Sequence, residues 1–221
     1  MGLDGRCEFR VSIPLASVDG SLVVDGWTAW RFEPGDRRRG RWMEIVDVGG
    51  RIHAAVAGEP EPAFLQARTD RWAIADKVAW GELPAKRWAR AEPLDALISA
   101  MEPVAARSQL VHGDLTGNVL FHDGLPPLVI DLSPYWRPPL FATTIVAVDA
   151  LVFEGVGTGL VDRLVEDLDD PGSHEFPQYL VRALIYRAVT DLLAAEAGVS
   201  PASLVAYRAV ADLALELVRT A

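Results

Sequence analysis

Apolar residues along this chain change their spacing as it proceeds, and each change marks a new kind of element. From Phe9 to Phe32 they come in short β-rich runs, "FRVSI" (9–13), "SLVV" (21–24) and "WTAWRF" (27–32). These runs predict strands, the last two joined by a two-residue Asp25-Gly26 turn that favours positive φ. Glu33-Pro34-Gly35 ends that region. The period then becomes helical. Trp42, Ile45, Val46, Gly49, Ile52, His53 and Val56 fall on one face, which predicts an amphipathic helix. Gly49-Gly50 inside it disfavours the helix by roughly 1 kcal/mol per residue relative to alanine, so close packing is expected there. His53 reads as a core histidine.

Helices follow at about 70–81 and 93–104, then short apolar pieces at 109–111, 119–121 and 128–131. The last third carries broad apolar faces at 139–154, 176–197 and 201–219. Ser200-Pro201 offers an N-cap and a proline at the first helical position. The order is strands, helices, a small strand-and-loop unit, then helices, which is α+β and not alternating βαβ.

Composition narrows the classes. The chain has 221 residues and a formal net charge of −10, which disfavours general binding to nucleic acid or an anionic membrane. No apolar run approaches the ~20 residues of a membrane span, and "MGLDGRCEFR" has no long apolar stretch, so a cytoplasmic protein is expected. Cys7 is the single cysteine, which excludes an internal disulfide or a multi-cysteine metal site. The basic run "GDRRRGRW" (35–42) reads as a solvated loop leading into a helix. Lysine is scarce: Lys77 and Lys86 stand against nineteen arginines.

The chemistry is concentrated in "VHGDLTGNVL" (111–120) and "LVIDLSPYWRPP" (128–139). A loop holding Asp114 and Asn118, followed by a hairpin with Asp131 at its far end, brings two carboxylates and an amide to one edge of a short β-ribbon. Without a cation the carboxylates repel and one is protonated. A divalent cation stabilises them, and these oxygen ligands suit Mg²⁺ with phosphate. The remaining carboxylate can orient a hydroxyl for in-line attack.

These two stretches resemble the catalytic and metal-binding loops of the aminoglycoside phosphotransferase-like branch of the protein-kinase superfamily. They are similar in particular to a group of actinobacterial proteins with "HGDLTGNVLF" and "IDFSPYWRPP" stretches. The resemblance implies a mostly helical kinase-like C-lobe (36–221) with a small β-hairpin. An N-lobe remnant of strands and hinge (1–35) precedes it. It implies that Asp114 is the catalytic aspartate and that Asn118 and Asp131 hold the Mg²⁺ that bridges the phosphates of ATP or GTP. Leu120 and Ile130 are then expected beneath the adenine, and main chain at Arg31, Phe32 and Glu33 at its edge. "IVDVGGRIHAAVAG" (45–58) matches a C-lobe helix in which His53 is structural. His112 braces the loop, Arg137 is a loop anchor, and Asp149 is an aspartate beyond the metal loop.

The pattern departs from the family in two places. Asp114 and Asn118 are one residue closer than in most kinases and aminoglycoside phosphotransferases, so the loop is tighter, with help from Gly117. Residues 1–29 hold no lysine and no Gly-rich hairpin to cover the phosphates. A truncated N-lobe and an impaired site are therefore expected. The function implied is transfer of a γ-phosphoryl group to a hydroxyl of a small molecule, the alternative being an inactive kinase-fold binding or regulatory module. A metal-dependent phosphoesterase is disfavoured, because His53 and His174 are remote in sequence and His122 adjoins an Asp123-Gly124 turn. Glu154 and Asp191 are available to line a cationic-substrate pocket. They read equally as solvated helix charges, with Asp191 pairing with Arg187 one turn earlier.

Overall fold

The computed structural model of the chain describes residues 8–89, 92–168, 174–199 and 204–220. Three two-residue strands come first: β1 (Arg10–Val11), β2 (Pro14–Leu15) and β3 (Ala29–Trp30). Helices α1 (Trp42–Val56), α2 (Phe64–Ala67) and α3 (Arg71–Ala79), a 3₁₀ turn (Ala85–Arg87) and α4 (Leu94–Ser99) follow. Next come β4 (Gln109–His112), β5 (Val119–His122), β6 (Leu125–Val129) and β7 (Pro134–Arg137). The chain then runs through α5 (Pro139–Phe153), α6 (Gly159–Glu166), α7 (Phe176–Glu196) and α8 (Val205–Thr220). The fold is α+β with a mostly helical C-terminal region. The Ser200-Pro201 cap and Cys7 lie outside the described residues.

The core is built around α7. Its sequence is apolar nearly all round, which is the signature of a helix buried on every side. It packs against α3, α4, α5 and α8, and Tyr179, Leu180, Leu184 and Tyr186 are fully buried there. Pro139 and Pro177 occupy first-turn positions of α5 and α7, where the missing N–H disturbs no hydrogen bond. Asp70 caps α3 by accepting from the Ala73 N–H at 3.0 Å. No helix among the described residues is long and apolar enough to cross a membrane.

The strands are short ties. β1 joins β6 in parallel and β6 joins β5 antiparallel, giving the order β1-β6-β5. β2 pairs with β3, and β4 with β7. Part of the predicted N-terminal pattern is corrected here. The run 9–13 forms only two strand residues, and these pair with β6 far along the chain. The run 21–24 keeps a single bridge, Val24 to Trp27, around a turn with positive φ at Asp25 and Gly26. The partner of β3 is β2, which no alternation announces. β7 was hidden by prolines, although Pro134 as the first strand residue is tolerated. The short helices α2 and α6 were also not predicted.

Helix α1 matches its predicted span, and its glycines separate into two roles. A Cβ on Gly49 would sit 2.5 Å from Leu115 Cδ1, whereas one on Gly50 meets nothing within 4 Å. Leu115 follows Asp114 directly and is buried, so Gly49 is the gap into which the functional loop is set. Gly49→Ala is expected to destabilise the fold by roughly 1–3 kcal/mol through overpacking. Gly50→Ala should stabilise it by about 0.5–1 kcal/mol through helix propensity alone. Urea unfolding of the two variants checks this opposition of sign.

Candidate functional site

The segment from His112 to Asn118 is a loop by shape, yet inward hydrogen bonds stitch it to its surroundings. Gly113 N–H donates to Ser133 O at 2.9 Å, Asn118 N–H to Leu115 O at 3.0 Å, and Ile130 N–H to Asn118 O at 3.0 Å. The last bond fixes the loop against the residue preceding Asp131. Gly117 sits at φ 79°, a conformation side chains disfavour, and a Cβ there would be 3.2 Å from the guanidinium carbon of Arg37. This tight turn accommodates the short Asp114–Asn118 spacing.

Two neutral histidines brace the loop from beneath. His112 N–H donates to His53 Nε2 at 3.2 Å, and Asp114 N–H donates to His112 Nδ1 at 3.2 Å. Each accepting nitrogen is unprotonated, so His53 carries its proton on Nδ1 and His112 on Nε2, which lies 3.3 Å from Ile130 O. Burial, reinforced by the neighbouring His112, pulls His53 down to about 4. Burial also lowers His112, against its bond to Ile130 and the charges of Asp114 and Asp131. These histidines hold the loop and α1 together as uncharged groups.

Asp114 is positioned by a residue that did not stand out in the sequence. Arg187 Nη2 donates to Asp114 Oδ1 at 2.7 Å and to Asp149 Oδ2 at 2.6 Å, while its Nε donates to Asp149 Oδ1 at 2.7 Å. The side chains of Arg187 and Asp149 are 12% and 5% exposed. Burial pushes the Asp149 carboxyl up and Arg187 opposes the rise. The guanidinium is held firmly protonated by Asp149, with Asp114 adding to it, against its own desolvation. Asp191, expected to pair with Arg187, instead accepts from Tyr207 Oη at 2.7 Å. One signal was present: an arginine inside a helix apolar on all sides must bring a buried partner.

Asp131 lies just beyond β6 at φ 49°, in the left-handed region, where non-glycine residues concentrate at functional sites. Its carboxylate has no ion pair or hydrogen bond among the described residues. Asn118 Nδ2 donates to Asp114 O at 2.7 Å, which leaves its Oδ1 as an acceptor. Among the described residues no three His, Cys, Asp or Glu side chains cluster to hold a metal by themselves. An amide oxygen and one free carboxylate do fit Mg²⁺, which takes few protein ligands and completes its shell with phosphate and water. Asp114 and Asp131 line one cavity of about 360 Å³.

The other named residues fall around this centre. Arg31 N–H is donated to Ile13 O at 2.8 Å, Phe32 is exposed, and Glu33 is engaged by Arg10 at 3.2 Å. Asp36 and Phe121 exchange backbone bonds of 3.0 and 2.9 Å, laying this segment along β5 beside Leu120. Leu120 pairs with Leu128, and Ile130 is half-buried. Arg137 anchors its loop to Asp76 and Glu82 at 2.6 and 2.7 Å. In the basic run Arg38 pairs with Asp123, Arg39 with Glu154 and Arg41 with Glu44, whereas Arg37 pairs with no described residue. Lys77 Nζ is bound to the carbonyls of Gln66 and Arg68.

Two stability predictions follow from the buried charges. Arg187→Met strands Asp149 in the interior and should cost about 3–5 kcal/mol, most of it recovered in Arg187→Met/Asp149→Leu; urea melts of both variants check it. His53 binds its proton less readily folded than unfolded, so its contribution is complete above about pH 6.5 and is lost as pH falls towards 4. The loss is at most roughly 3 kcal/mol. His53→Gln, which keeps an acceptor for His112 N–H, should flatten stability measured across that window.

The chain matches the model of the phosphotransferase enzyme family over residues 17–135, more than half of its 221 residues. The matched span includes His53, Asp114, Asn118 and Asp131 and ends before Asp149 and Arg187. No curated protein matches the chain. By the matched span, the chain belongs to the phosphotransferase enzyme family.

Proposed function

We propose that this site transfers the γ-phosphoryl group of a Mg-nucleotide, ATP or GTP, to a hydroxyl of a small molecule. The observation that carries the reading is that Asp114 and Asp131 line one cavity in different states. Asp114 has Oδ1 saturated by Arg187, while the Asp131 carboxylate is unpartnered on a left-handed backbone. The family assignment supports the same chemistry.

Asp114 keeps Oδ2 to accept the hydroxyl proton; its only described contact is a long 3.4 Å approach from Asn118 Nδ2. As the acceptor oxygen bonds to the γ-phosphorus, the bond to the β–γ bridging oxygen breaks. The proton passes to Asp114 and the nucleoside diphosphate leaves. Asn118 Oδ1 and the Asp131 carboxylate would hold Mg²⁺, whose charge would offset that of the phosphates. Ile130 and Leu120 form the apolar floor for the base, and the main chain of Phe32 and Glu33, which makes no backbone hydrogen bond among the described residues, meets its edge. Arg37, which pairs with no described residue, lies beside Gly117 and supplies a positive charge at the loop.

Mg-ATP at about 100 times its Kd should stabilise the protein by roughly 2.7 kcal/mol, several degrees in a thermal-shift titration. Asp131→Ala should abolish the shift. Asp114→Asn should retain it while lowering turnover by about 10²–10⁴-fold. Absence of a shift at millimolar Mg-ATP, or an equal shift in Asp131→Ala, refutes the reading and leaves a non-catalytic kinase-fold module.

A further inference from the structure

The acceptor should carry its chemistry to the cavity that Asp114 and Asp131 share, and three large apolar side chains stand in its mixed polar and apolar wall. Phe64, Trp72 and Leu132 line it while remaining 57%, 40% and 59% exposed. Large apolar groups grouped around reactive carboxylates are the usual makings of a small-molecule site, and 360 Å³ lies within the usual range for one. Tyr135 and Tyr186 complete the wall with their hydroxyls 3.0 Å apart, one donating to the other. The cation in the lining, Arg68, is bound to both oxygens of Asp70 at 2.9 and 3.1 Å and to Pro134 O at 3.0 Å.

A polycationic acceptor would need unengaged carboxylates, and the described lining has none beyond the two site aspartates. The neighbouring cavity, about 480 Å³, does contain Asp149, Glu154 and Asp191. Each of these has a partner, Arg187, Arg39 and Tyr207 respectively, and Arg71 and Arg187 add positive charge to the same lining. Trp72 lines both cavities, and the Arg71 guanidinium lies 4.2 Å from its ring centroid.

We infer that the acceptor is an uncharged, flat, hydroxyl-bearing molecule, an aromatic alcohol in chemical class, seated against Phe64, Trp72 and Leu132 with its hydroxyl towards Asp114. This rests on the phosphotransfer reading for the role of the hydroxyl, while the binding itself does not require a nucleotide. In the complete step the alcohol oxygen receives the γ-phosphoryl group of the nucleoside triphosphate, its proton goes to Asp114 Oδ2, and the nucleoside diphosphate is released.

The test is saturation-transfer NMR on nucleotide-free protein with 2-naphthalenemethanol as probe and spermine as the polycation. The probe should bind, and Phe64→Ser/Trp72→Ser should weaken it by about tenfold or more, as expected from removing two aromatic contacts. Leu132→Ser should weaken it less. Trp27→Ser, which removes an exposed aromatic side chain near the N-terminus, should leave it unchanged. Spermine should neither bind at comparable concentration nor displace the probe. Displacement by spermine overturns the inference, as does probe binding that survives Phe64→Ser/Trp72→Ser or disappears with Trp27→Ser. Probe binding without a Mg-ATP shift refutes phosphotransfer alone; a Mg-ATP shift without probe binding refutes the acceptor class alone.

Discussion

Burying a guanidinium is tolerable only when carboxylates and hydrogen bonds replace its water, and in this protein that requirement fixes the site. Arg187 projects from α7, the helix enclosed by the rest of the core, and satisfies its charge on Asp149 of α5 and Asp114 of the loop after β4. Two packed helices and one loop thereby acquire a common origin of coordinates. The ion pair adds little to stability relative to a well-packed apolar trio, since desolvation offsets most of the attraction. Its effect is geometric. Asp114 has one oxygen committed and one available, and it is held by a helix that has no room to move.

The strands do a different job from the helices. None of the described strands is longer than five residues, though Val111, Val119, Phe121, Val129 and Tyr135 reach the core from them. They act as clamps between segments distant in sequence: β1 onto β6, Asp36 onto Phe121, β4 onto β7. Functional groups sit at the strand ends, where main chain leaves the ladder and side chains are free to address a ligand. Helices therefore supply rigidity and strand ends supply chemistry. The two meet at Leu115, which follows Asp114 and packs into the gap left by Gly49 on α1.

Local signals in the sequence carried part of this arrangement. The α1 face, the Asp25-Gly26 turn, the long C-terminal helices and the pairing of the 112–118 loop with the strand before Asp131 all follow from periodicity and turn chemistry within a few residues. β7 did not, nor did the partner of β1, because the strands they pair with lie far along the chain and two or four residues carry no alternation to read. Arg187 was assigned to its helical neighbour Asp191, the nearest opposite charge in sequence. The fold instead put Asp149 and Asp114 within reach, and tertiary proximity prevailed over the local i,i+4 pairing. The grouping of Phe64, Trp72 and Leu132 around the cavity of Asp114 and Asp131 was invisible for the same reason: they come from three separate segments.

The inward hydrogen bonds of the loop have a consequence for its motion. Gly113 and Asp114 donate their amides to Ser133 O and His112 Nδ1, beneath a backbone anchored by buried Leu115. Such amides exchange with solvent only when the surrounding unit opens, so their protection should approach that of α7 and exceed that of the surface turns. A segment that would be drawn as a connector thus shares the lifetime of the hydrophobic interior, and the Asp114 carboxylate shares that lifetime with these two amides.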